Sequence, residues 1–80
     1  LQSDYAMFQK SLIAGVRSSA AKISILGILL KQYPKSSLVP DVNMEIALTY
    51  IADEKFTAAI TYLNNVINIT DAGGLNPGHI

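Results

Sequence analysis

Residues 20–33 read AAKISILGILLKQY, and this stretch decides the fold. Its hydrophobic side chains recur at helical spacing and cover more than one face of the helix: Ile23, Ile25, Leu26, Leu29, Leu30 and Tyr33. A strand of this length would be unusual, and Pro34 follows where a helix would stop. A helix that is apolar most of the way round needs neighbours on two sides. The sequence therefore predicts several packed helices.

A first helix is predicted on the N-terminal side, over residues 4–16. Its apolar residues are also helically spaced: Tyr5, Phe8, Leu12 and Val16. Ser3 or Asp4 can accept hydrogen bonds from the free amide groups of its first turn. Residues 17–19 form the turn to the next helix.

Two helices are predicted on the C-terminal side. The third begins at Pro40, whose fixed φ suits the first helical position, and Asp41 follows where a carboxylate favours the helix dipole. Its predicted buried stripe contains Val42, Ile46, Ala47, Tyr50 and Ile51. The polar residues 53–55 (DEK) close it.

The fourth helix, over residues 56–69, has two contrasting faces. The predicted inward face consists of Ala59, Ile60, Leu63, Val66 and Ile67, and the solvated face of Thr61, Asn64, Asn65 and Asn68. Residues 70–75 (TDAGGL) are predicted as a loop. Asn76 and Pro77 then have the order of an N-cap and a first helical residue, which indicates the start of a fifth helix.

Composition limits the chain to one small domain. It has 80 residues, of which 50% are hydrophobic and 15% charged, and it has no cysteine. Six basic residues balance six acidic ones, so no net field attracts nucleic acid or an anionic membrane. The longest apolar run, residues 23–30, is far shorter than the roughly 20 residues of a membrane-spanning helix.

The two helix pairs are related by an internal repeat. Ile23 aligns with Ile60, Leu26 with Leu63 and Leu30 with Ile67, each pair 37 residues apart. A repeated helix hairpin indicates units that bury their apolar faces by stacking on one another. Residues 4–34 form the first predicted repeat and residues 40–69 the second, with residues 70–80 as a loop and the start of a further helix.

The second repeat resembles the tetratricopeptide repeat, a helix hairpin of about 34 residues. Ile46, Ala47 and Tyr50 are similar to the large–small–aromatic signature of the family's first helix. Phe56, Ala59 and Ile60 are similar to the aromatic-to-alanine signature of its second helix. The first repeat matches more loosely. There Ser11 could be the small contact and Tyr33-Pro34 resembles the terminal proline, but Lys22 stands where the family usually has alanine.

This resemblance implies an all-α, right-handed superhelix of about two repeats. The first helix of each hairpin would line a concave surface that binds a protein or peptide. The residues that would border it are Tyr5, Phe8, Gln9, Leu12 and Val16 in the first repeat and Met44, Glu45, Leu48 and Ile51 in the second. The alternative is that these groups are covered by neighbouring repeats or a second copy, and that the segment acts only in assembly.

Residues 33–51 (YPKSSLVPDVNMEIALTYI) are similar to inter-repeat segments of tetratricopeptide proteins of the bacterial envelope. That likeness favours the periplasm or cell envelope over the cytoplasm.

The sequence gives no grounds to predict an enzyme. Asp53 and Glu54 are adjacent in a turn and would point apart into water, so they cannot share a proton. His79 is the one histidine and has no second metal-type ligand or nucleophile near it in the sequence. We therefore predict no catalytic residue, no metal and no cofactor.

Overall fold

The computed structural model describes residues 3–72, which form four α-helices and contain no strand. They are α1 (Asp4–Gly15), α2 (Ser19–Gln32), α3 (Val39–Ala52) and α4 (Phe56–Ala72). The all-α prediction is confirmed. The helices pack as two hairpins, α1 on α2 and α3 on α4.

A narrower interface between α2 and α3 joins the two hairpins. The core lies along this joint, where five buried side chains meet: Met7, Leu26, Leu29, Val42 and Ile46. Residues 20–33 thus have neighbours on two sides, as their all-round apolar pattern requires. The core is small, which suits a chain whose extents are 43 × 34 × 16 Å.

Local hydrogen bonds set the helix starts. Ser3 Oγ accepts from the Ala6 amide at 3.0 Å, and Ser18 Oγ accepts from the Ala21 amide at 3.1 Å, so both hydroxyls cap helices. The predicted starts of α2 and α3 are each one residue late. Pro40 is consequently the second residue of α3, while Leu38 holds the N-cap position without a side-chain bond.

The predicted end of the fourth helix is wrong by three residues. Residues 70–72 were expected in the loop, but α4 continues through Ala72. Nothing in Thr-Asp-Ala breaks a helix, and the Gly-Gly pair follows only at residues 73 and 74. The fifth helix predicted at Asn76 and Pro77 lies outside the described residues.

The predicted inward face of α4 is only partly covered. Ala59 is buried, yet Ile60 is 57% and Ile67 55% exposed. In the third helix Val42, Ile46 and Ala47 are buried as predicted, but Ile51 is 39% exposed. The cause lies in the number of neighbours, because α2 packs broadly against α1 and more narrowly against α3, whereas the one broad contact of α4 among the described helices is with α3.

One residue of the predicted solvated face takes part in packing. Asn65 Nδ2 donates to Asn43 Oδ1 at 3.3 Å. Asn43 is almost fully buried and donates in turn to the carbonyl oxygen of Val39 at 2.9 Å. The pair gives α3 and α4 a polar contact in addition to the tilted ring contact of Tyr50 and Tyr62, whose centroids are 5.8 Å apart.

Candidate functional site

The predicted binding residues of α1 divide into an exposed and a half-buried group. Tyr5, Gln9 and Val16 are exposed, and the Tyr5 hydroxyl accepts a hydrogen bond from Gln9 Nε2 at 2.8 Å. Phe8 and Leu12 are half-buried, and Phe8 packs against the core. Phe8 therefore has a structural role, and the most accessible apolar group among these predicted residues is Val16, which is 86% exposed.

The predicted residues of α3 are more evenly accessible. Leu48 is 50% exposed, and Met44 and Ile51 are over a third exposed. Glu45 is half-buried because its carboxylate is engaged in an ion pair. Exposed apolar side chains of this size on one helix are candidates for contact with a partner, although single ones are common on any protein surface.

A shallow open cavity of about 250 Å³ lies where the end of α1 meets α2 and α3. Leu48 is the one predicted residue that lines it, and the others are Gly15, Ser19, Lys22, Thr49 and Ala52. At this cavity the C-terminal end of α1, next to Val16, faces the C-terminal part of α3. We call this cavity with Val16, Glu45 and Ile51 the α1–α3 groove.

An ion pair forms one wall of the groove. Lys22 Nζ donates to Glu45 Oε1 at 2.7 Å, and both side chains are less than a third exposed. Partial burial strengthens such a pair relative to one in open water. The groove thus combines an apolar side chain, Leu48, with a fixed pair of charges that could meet polar groups of a bound chain.

Gly15 makes room for the lysine. A Cβ placed on Gly15 would lie 2.6 Å from Lys22 Cδ and 3.3 Å from Lys22 Cβ, which is too close for ordinary contact. Lys22 occupies the position that Ala59 holds in the second hairpin, 37 residues on. The first hairpin therefore accommodates a long side chain there by having no side chain on the opposing residue of α1.

This arrangement was not predicted from the sequence. The sequence marks Lys22 only as a departure from the alanine that the family usually has at this position. Gly15 and Lys22 are close in the sequence and are separated by a single turn. Because the end of one helix faces the start of the next in a tight hairpin, this proximity could have indicated the contact. The predicted small contact, Ser11, is fully buried and donates to the carbonyl oxygen of Phe8 at 2.6 Å.

A second polar contact lies at the N-terminal end of α1. The hydroxyl of Ser36, in the loop between α2 and α3, donates to the carboxylate of Asp4. This bond, together with the Tyr5 backbone amide, lowers the pKa of Asp4 below its ordinary value of 3.8. The loop that joins the hairpins is thereby tied to the start of the first helix.

Within residues 3–72, no three side chains of the metal-binding types come together. None of the described helices has both the length and the apolar composition needed to cross a membrane. Comparison of the chain with protein-family models, curated proteins and solved structures gives no match. A function for the α1–α3 groove therefore depends on its own residues and geometry.

Proposed function

We propose that this chain is a non-catalytic module of tetratricopeptide-like repeats that binds a peptide or protein in the α1–α3 groove. The observation that carries the proposal is the exposure of Leu48 inside a cavity that also contains the end of α1. When a bound ligand covers the remaining apolar area of a half-exposed leucine in a concave site, the free energy of binding becomes more favourable by about 25 cal/mol per Å².

The chemistry of the groove indicates the class of ligand. Leu48 and Ala52 offer an apolar floor, and the Lys22–Glu45 pair offers both a hydrogen-bond donor and an acceptor at its edge. An extended or helical peptide with an aliphatic or aromatic anchor beside a polar group matches this combination. Val16 and Ile51 would extend the apolar contact at either side.

The test is a selection of displayed peptides on the immobilised chain, followed by measurement of Kd for the selected peptides. Leu48→Asp places a charge on the groove floor, where a bound apolar anchor would desolvate it, and we expect binding to weaken at least tenfold. Asn64→Asp adds the same charge on the exposed face of α4 and should leave Kd within about twofold. Circular dichroism establishes that both variants fold.

Either of two results would contradict the proposal. One is a folded Leu48→Asp variant that binds the selected peptides at full strength. The other is a selection that returns no peptide with preference for this chain over an unrelated helical protein.

An assembly role is the second candidate, and a specific observation favours it. Phe56 and Ile60 on α4 are each over half exposed, and no charged residue occurs between residues 56 and 70. Such a surface suits the packing of another helix better than it suits solvent.

A further inference from the structure

The exposed side of α4 carries a regularly spaced row of apolar side chains. Phe56, Ile60 and Ile67 are each over half exposed, and Leu63 between them is half-buried. Their spacing of four, three and four residues is that of the seam along which two helices pack side by side. We call these four residues the α4 seam. The contact of α4 with α3 leaves most of this seam uncovered.

The α4 seam lies in an uncharged stretch of sequence. No residue of the range 56–70 is acidic or basic, and the exposed residues Thr57, Asn64 and Asn68 follow one flank of the seam. Two copies of this surface can therefore meet without bringing like charges together. Each asparagine amide has both donors and an acceptor, so it can also bond to the same group of a second copy. Because basic and acidic residues are equal in number, no net charge of the chain keeps two copies apart.

We infer that the α4 seam is the interface of a homodimer, in which the seams of two copies pack antiparallel about a twofold axis between Ile60 and Leu63. Ile60 of one copy then lies against Leu63 of the other, as a twofold interface requires. Lys55 directly precedes the seam, and an antiparallel pair places its two copies at opposite ends, whereas a parallel pair would bring these like charges together. The inference gives the assembly role proposed above a definite occupant, and it does not involve the α1–α3 groove.

The size of the interface indicates how strong the dimer is. A helix of 17 residues is about 25 Å long. A single pair of such helices lies at the low end of the area range of specific interfaces, so we expect a reversible dimer with a Kd on the order of 100 μM or lower. Sedimentation velocity at concentrations below and above this value measures the association. A monomer throughout would overturn the inference and would leave the seam to a partner of another sequence.

Two matched substitutions of isoleucine locate the dimer contact. Ile60→Asp would bury two carboxylates near the twofold axis without a counter-charge, and we expect the dimer Kd to rise at least tenfold. Ile13→Asp makes the same change on α1, at a side chain that is 73% exposed, and should leave the dimer Kd within about twofold. Circular dichroism establishes that both variants fold. A dimer that Ile60→Asp leaves unchanged, or that both variants weaken equally, would overturn the inference.

Single cysteines report the direction of the helix pair, because the chain has no cysteine of its own. In an antiparallel pair the two copies of residue 60 lie near the axis, whereas those of residue 67 are separated by roughly 16 Å along the helices. A bismaleimide whose reach is about half that distance should therefore link two copies of the Ile60→Cys variant and not of Ile67→Cys. Links in both variants would mean a parallel pair. That result, or no link in Ile60→Cys at concentrations at which the chain is dimeric, would contradict the inferred arrangement.

Discussion

Lys22 of α2 and Glu45 of α3 form an ion pair whose Nζ and Oε1 atoms are 2.7 Å apart, and this pair joins the two hairpins. It lies at the edge of the α2–α3 interface, which is narrower than the interface within either hairpin. A single charged contact therefore contributes to the relative position of the hairpins as well as to the wall of the groove.

We predict that Lys22→Met and Glu45→Gln are not additive in their effect on stability. Each variant removes one charge, and a double-mutant cycle in urea should give a coupling free energy of about 0.5–1 kcal/mol for this partly buried pair. Lys31→Met, on the exposed end of α2, is the control and should show no coupling to Glu45→Gln. A coupling near zero for the Lys22 cycle would show that the pair does not join the hairpins in solution.

Gly15→Ala should have opposite effects in two backgrounds. Alanine is favoured over glycine inside a helix by about 1 kcal/mol, but its Cβ would collide with the Lys22 side chain in the native protein. We expect Gly15→Ala to destabilise the native chain and to be neutral or stabilising in a Lys22→Ala background. Thermal unfolding of the four proteins checks this, and a stabilisation by Gly15→Ala alone would refute the close contact.

Replacing Glu54 by glycine should stabilise the fold. It is the one described non-glycine residue with positive φ, at 61°, in the turn between α3 and α4. Glycine adopts this left-handed conformation without the steric cost borne by other residues, so Glu54→Gly should raise the free energy of unfolding by about 0.5–1 kcal/mol. Asp53→Gly, at φ −89°, should instead lower it. Equal effects of the two substitutions would contradict the turn geometry.

The Asp4 carboxylate should titrate differently once its loop partner is removed. Because the hydroxyl of Ser36 lowers the pKa of Asp4, Ser36→Ala should raise that pKa toward 3.8. A carboxyl whose pKa is lower in the folded than in the unfolded state stabilises the fold above the unfolded value, and this stabilisation is lost as pH falls through the folded value. Carboxyl carbon NMR measures the pKa directly, with Ser37→Ala as the control. An unchanged Asp4 pKa in Ser36→Ala would exclude the contact.

Local signals account for what was predicted correctly. The cap at Ser3 and the prolines at positions 34 and 40 act within a turn of their own helices, so four helices and their starts could be predicted to within a residue. The side-chain periodicity of residues 20–33 likewise indicated neighbours on two sides.

Contacts between helices account for what was missed. Periodicity placed Ile60 inward, but whether an inward side chain is covered depends on a neighbour that the pattern of one helix does not contain. The Asn65–Asn43 hydrogen bond and the fit of Lys22 against Gly15 also depend on helix orientation. Of the predicted binding residues, Leu48 lines the cavity of the groove because α3 faces the end of α1, a relation that spacing within α3 cannot give.

The central claim, that the chain binds a peptide in the α1–α3 groove, is tested most directly by ¹⁵N–¹H NMR titration with a selected peptide. The account predicts that the largest shifts occur at Val16, Lys22, Leu48 and Ala52, and that Leu48→Asp abolishes them. Largest shifts at Phe56 and Ile60, with the groove unaffected, would contradict it.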